Sequence, residues 1–194
     1  KTVKENSVYL KFKLRDARWG DKTYILSWTT TPWTLPGNVA LAISQSLSYV
    51  KIESRNTAGI HEDFICAESR APAIVEILKQ QGYKTKQPIR VSASDLLGVS
   101  YQPLFDVSVL KSETSYKIYS ADFVTAEDGT GVVHTAVMYG LDDYDLGTAV
   151  GLPKIHTVNE QGKFMGVSQE LDGKYVKDPA TEEIILNYLK DGGK

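Results

Sequence analysis

Hydrophobic positions in this 194-residue chain fall in short clusters of β-branched and aromatic residues, punctuated by Gly, Pro, Asn and Ser. That is the pattern of many short strands. Strands are predicted over 8–14, 23–28, 39–43, 49–53, 64–67, 89–93, 116–120 and 132–135. Their close, even spacing favours a barrel over a βαβ sheet. Two stretches have helical periodicity instead. The first covers 69–81, with Ser69 as N-cap, Ile74, Ile77 and Leu78 on one face, and Gly82 as the stop. The second covers 179–190 and is capped by Asp178. A third, short helix is predicted near Asp142, where Leu146, Ala149 and Val150 recur at helical spacing before Gly151 and Pro153, so that an Asp at its start serves as a cap. The expected fold class is mainly β with peripheral helices (α+β), built on a β-barrel core.

Composition narrows the class without naming a function. One domain spanning 1–194 is expected, since no repeat, low-complexity tract or Pro/Gly/Ser-rich linker divides the chain. At this length one core buries about 70 % of the unfolded surface. No apolar run approaches the roughly 20 residues of a bilayer-spanning helix, and the N-terminal stretch lacks an apolar signal core, so a cytoplasmic setting without membrane is the simplest reading. Cys66 is alone and only His61, His134 and His156 accompany it, which argues against a disulfide framework or a structural zinc site. No metal and no cofactor are expected. A net charge of −2 is not the footprint of a protein that grips nucleic acid by itself. The one basic stretch, Lys79, Lys84, Lys86 and Arg90, reads as a solvated helix end.

Two segments carry chemistry. From Trp28 to Asn38 the run Trp28-Thr29-Thr30-Thr31-Pro32-Trp33-Thr34-Leu35-Pro36-Gly37-Asn38 places four threonines, two indoles and two prolines at a predicted strand end. Such a cluster can be an ordinary turn whose hydroxyls bond neighbouring amides. Its eleven ordered residues, however, resemble the threonine-rich peptide of the editing (CP1) domain of isoleucyl-tRNA synthetases. The second segment, Gly129-Thr130-Gly131-Val132-Val133-His134-Thr135-Ala136 followed by Gly140-Leu141-Asp142-Asp143-Tyr144, resembles the same family's Gly-Thr-Gly, His and Asp-Asp element. The likeness runs from about Thr23 onward. It departs at Val137, Met138 and Tyr139, where the family commonly has a proline after His-x-Ala. That leaves the path of this loop open, but not the His or the Asp.

The resemblance implies a domain excised from a larger synthetase, for no Gly-rich P-loop, His-x-Gly-His or Lys-Met-Ser-Lys-type loop for ATP chemistry is present. It implies hydrolysis, by positioned water, of the ester linking valine to tRNA(Ile), with the tRNA 3′ end and the rest of the parent synthetase as partners. Asp143 corresponds to the aspartate that holds the substrate α-ammonium, a role suited to a carboxylate facing a desolvated cation; Asp142 is then its neighbour and a candidate cap. The other role open to Asp143 is general base, for which an unshifted carboxylate is weak at pH 7. Thr29, Thr30 and Thr31 are expected to orient the 3′-adenosine and the attacking water. Trp33 is placed to stack on or wall the adenosine, and Trp28, Asn38 and Gly131 complete the candidate substrate-binding positions, although the glycines flanking Thr130 read as a tight turn. His134 is the expected wall of a pocket that admits valine and excludes isoleucine. Such a sieve is needed because one methylene supports only about 10- to 200-fold discrimination. A valyl or leucyl editing domain is the nearest alternative, though its threonine peptide has an Arg-Pro pair where Thr31 and Pro32 stand with Trp33. A non-catalytic RNA-binding barrel, with Trp28 and Trp33 stacking bases, is the alternative from another class.

Overall fold

The structure, a computed structural model, describes residues 7–193. Among the described residues nine strands follow one another as β1 (Val8–Lys13), β2 (Thr23–Thr29), β3 (Ala40–Ile43), β4 (Tyr49–Arg55), β5 (His61–Ala67), β6 (Lys84–Thr85), β7 (Ile89–Val91), β8 (Lys117–Ser120) and β9 (Val132–Thr135). The helices are α1 (Ala71–Gln80), α2 (Ala93–Leu96), α3 (Leu141–Val150) and α4 (Pro179–Asp191). The mainly-β class with peripheral helices thus holds.

Hydrogen bonding divides the strands between two sheets. Six strands form the first in the order β1-β2-β5-β4-β6, with β7 also on β4; the second is β8-β3-β9. β2 runs antiparallel to β1, pairing Val8 with Thr29, but parallel to β5. In the smaller sheet β3 is antiparallel to β9, which sets Leu41 opposite His134. Both faces of β2 are covered: Ile25 belongs to the main core with Phe12, Leu41 and Tyr101, whereas Leu26 packs with Ile52, Phe64, Ile74 and Leu78 beneath α1. Alternation of side chains along a strand produces this split.

The segment before β9 ties the two sheets together. The Thr130 hydroxyl donates to the Leu26 carbonyl (2.7 Å), the Ser27 hydroxyl to that of Val132 (2.9 Å) and the Tyr49 hydroxyl to that of Gly131 (2.8 Å). Gly131 has φ +73°, and a Cβ there would collide with the Cβ of Ala67. Only glycine fits so close a crossing.

Two helix starts differ from the sequence expectation. Ser69 does not cap α1; it lies within a 3₁₀ turn, Glu68–Arg70, and the helix begins at Ala71 with Pro72 in its first turn. Proline, pre-set in φ and needing no donor there, moves the start inward. Nor does an aspartate cap α3. Gly140 holds that position and no side-chain cap bond is made, while Asp142 and Asp143 lie within the first turn. The α4 start is as expected, with Asp178 accepting from the Ala180 amide at 2.9 Å.

Candidate functional site

The threonine-rich run leaves β2 at Thr29 and coils at once into a 3₁₀ helix, Pro32–Gly37. Proline at the first turn accounts for that switch. The hydroxyl of Thr29, a buried residue, accepts the Thr31 amide at 3.0 Å. The Thr31 carbonyl in turn accepts both the amide (3.1 Å) and the hydroxyl (2.9 Å) of Thr34. Thr29 is thereby tied into its own loop. Thr30 and Thr34 are half-buried and Thr31 is exposed.

His134 joins this loop from β9. Its Nε2 lies 3.0 Å from the Thr34 hydroxyl oxygen, across 100 residues of sequence. Its Nδ1 is sealed from solvent without a partner. Burial pulls the imidazole down to about 4, and it stays neutral at physiological pH.

Asp143 closes the group. Its carboxyl is half-buried at the start of α3 and accepts the N–H of Ala136, two residues beyond His134. Desolvation, reinforced by the neighbouring Asp142 charge, raises it to about 6 against the pull of that amide. Asp142 itself is exposed. Loop 136–140 reaches this position without the missing proline because Tyr139 turns back to the Ala136 carbonyl at 2.9 Å and Val137 packs on Gly147 of α3, where a Cβ would lie 2.7 Å from Cγ2.

The indoles part company. Trp33 meets Tyr139 edge to face at 5.4 Å, and the Tyr139 hydroxyl is fixed by Thr157 at 2.8 Å. Trp28 lies instead against Gly129, and with Gly131, Phe123 and Val133 it lines a cavity of about 220 Å³. Asn38 is buried, its amide donates to the Ala40 carbonyl at 2.9 Å and its oxygen accepts the Tyr101 hydroxyl at 2.7 Å. Both ends of that side chain are committed to the core. The Gly131 carbonyl takes the Tyr49 hydroxyl. Sequence reasoning gave no role to Thr34, Tyr139 and Gly140, although Thr34 and Gly140 stand inside the two quoted segments. Among the described residues no three His, Cys, Asp or Glu side chains are grouped to hold a metal, and no helix is long and apolar enough to cross a membrane.

Comparison with known structures identifies the class. The fold matches GlLeuRS-CP1 with a TM-score of 0.66 at 14 % identity, over 97 % of this chain and 96 % of that one. It also matches the editing domain of the P. knowlesi cytosolic leucyl-tRNA synthetase, with a TM-score of 0.56 at 13 % identity over 95 % and 82 % of the two chains. The fold is that of the synthetase CP1 editing domain. In sequence the chain is 38 % identical over 193 residues to isoleucine–tRNA ligase 2 of Bacillus thuringiensis subsp. konkukian (strain 97-27), and 38 % identical over 195 residues to isoleucine–tRNA ligase of Clostridium novyi (strain NT). All of this chain is covered in both alignments, but only 17 % of either ligase. The chain thus matches one segment of isoleucine–tRNA ligases in sequence and the CP1 editing domain in fold. No family model matches it.

Proposed function

We propose that this chain is a single editing domain carried by an isoleucine–tRNA ligase, and that it hydrolyses the ester of Val-tRNA(Ile) while sparing Ile-tRNA(Ile). One observation carries the reading: Asp143 bonds the Ala136 amide beside His134, and His134 bonds Thr34 of the threonine-rich loop, so both motifs form one connected group. In this reading water adds to the ester carbonyl, the tetrahedral adduct expels the ribose oxygen, and the proton lost by water ends on that oxygen, giving valine and intact tRNA. Asp143 anchors the α-ammonium. A half-buried carboxyl with no cation beside it is held partly protonated, and an arriving ammonium ion restores its charge. Thr30 and Thr31 orient the terminal adenosine and the water, and Trp33, braced by Tyr139, walls that nucleoside. His134 bounds the side-chain pocket as a neutral ring. The partners are the valine-bearing 3′ end of tRNA(Ile) and the remainder of the ligase.

A second role for Asp143 rests on the same raised value, about 6, which brings it within range of general-base work. The Asp143→Asn variant separates the two, since loss of the anchor raises KM whereas loss of the base lowers kcat. The function itself is tested by following ester loss from Val-tRNA(Ile) and Ile-tRNA(Ile) with this chain at high concentration and with the ligase that carries it. Loss from the valyl ester alone is expected. Equal loss from both, or from neither, would overturn the proposal.

A further inference from the structure

The hydroxyl of Thr34 has one hydrogen, and geometry shows where it goes. It donates to the Thr31 carbonyl at 2.9 Å, an oxygen that can only accept. The same hydroxyl oxygen lies 3.0 Å from His134 Nε2 and must therefore accept there, so that Nε2 carries the hydrogen. On a neutral ring the other nitrogen, Nδ1, is then bare. A hydrogen on Nδ1 would be a buried donor with no acceptor, because that atom is sealed and unpartnered. Turning the ring over would bring carbon against the Thr34 hydroxyl and forfeit the bond.

We propose that Thr34 is a positioning residue for the side-chain pocket: through the chain Thr31 C=O to Thr34 O–H to His134 Nε2–H it fixes both the tautomer and the plane of the His134 ring. This rests on the editing reading above and adds what the ring does there. One nitrogen is sealed and the other is spent on Thr34, so the ring presents carbon to a ligand. It acts by shape, neither as a base nor as a hydrogen-bonding partner. The threonine-rich loop and the pocket wall are thereby one unit, and a ligand that shifts the Thr31 peptide also shifts the wall.

The test uses Thr34→Val, which keeps volume and the backbone bond but removes the hydroxyl, and Thr34→Ser, which restores it. Nitrogen-15 spectra of the histidine rings in the full chain report the tautomer. Hydrolysis of the valyl and isoleucyl esters reports selectivity, and thermal unfolding reports the fold. We expect the unaltered protein to show His134 as the Nε2–H form. In Thr34→Val that signal shifts toward mixed tautomers and preference for the valyl ester falls about 2- to 12-fold, as one lost hydrogen bond allows; Thr34→Ser recovers both. An unchanged tautomer in a folded Thr34→Val protein would overturn the proposal, as would unchanged selectivity despite a shifted tautomer. Absence of hydrolysis by unaltered protein would instead refute the editing reading, and the ring spectra would still judge Thr34.

Discussion

The carboxyl of Asp143 folds back over Gly140 so closely that a methyl group on Gly140 would lie 2.5 Å from Oδ2. Gly140 has φ −147°, an extended conformation open to any residue, so the glycine there serves the approach of the carboxyl and not the backbone. Gly140→Ala should therefore leave the fold within about 1 kcal/mol of its original stability. It should also push Asp143 off its site and lower hydrolysis of Val-tRNA(Ile) about 10-fold or more, as displacement of a reacting group does. Paired rate and unfolding measurements check this; unchanged hydrolysis would show that the carboxyl need not stay where it is.

Asp143 also leaves a signature in stability. Its carboxyl, near 6 in the folded protein against an ordinary 3.8, binds its proton more tightly folded than unfolded. Stability contributed by this group therefore falls as pH rises from about 4 to 6, and the cost persists at neutral pH. Asp143→Asn should gain about 1 to 3 kcal/mol at pH 7 and nothing below pH 4, while losing hydrolysis. Denaturant unfolding at several pH values decides the point.

His134 has the opposite sign over nearly the same window. Its folded value of about 4 lies below the ordinary 6.5, so protonation favours the unfolded chain as pH falls from 6.5 to 4. The two slopes oppose each other in the unaltered protein. Removing the first with Asp143→Asn should unmask the second, leaving stability that rises with pH between 4 and 6.5. A flat profile in that variant would contradict the burial of the imidazole.

If the His134 ring bounds the side-chain pocket, His134→Ala should admit the isoleucyl ester. Hydrolysis of Ile-tRNA(Ile) should rise while that of Val-tRNA(Ile) changes less, a loss of about 10-fold or more in discrimination. A variant that melts earlier yet still spares the isoleucyl ester would make His134 a packing residue only.

Asp142, exposed and not a cap, should tolerate replacement. Asp142→Ala is expected to shift stability by no more than about 0.5 kcal/mol and, by removing a nearby negative charge, to lower the Asp143 value, which carboxyl titration by NMR would detect. Gly131→Ala, by contrast, should cost about 2 kcal/mol or more through its positive φ and the collision with Ala67. Part of that loss should return when Ala67→Gly is added.

What the sequence determined by itself was decided by near neighbours. Runs of β-forming residues between turn residues placed β1, β2, β3 and β9 to within one residue or so, and the Asp178-Pro179 pair fixed the start of α4, because strand propensity and capping act within a few residues. Eleven ordered residues at the end of β2 and the Gly-Thr-Gly, His and Asp-Asp segment marked the place of the chemistry. Tertiary structure decided what each of those side chains bonds. Thr29, Asn38 and Gly131 carry the same motif as Thr30 and Thr31, yet the first bonds its own loop, the second is held by Tyr101 and the third sits against Ala67. Thr34 acquires its meaning from a ring 100 residues away. A hydroxyl or amide satisfies whichever partner the fold brings within about 3 Å, and for such groups that partner is set by packing between distant segments, which no local pattern records.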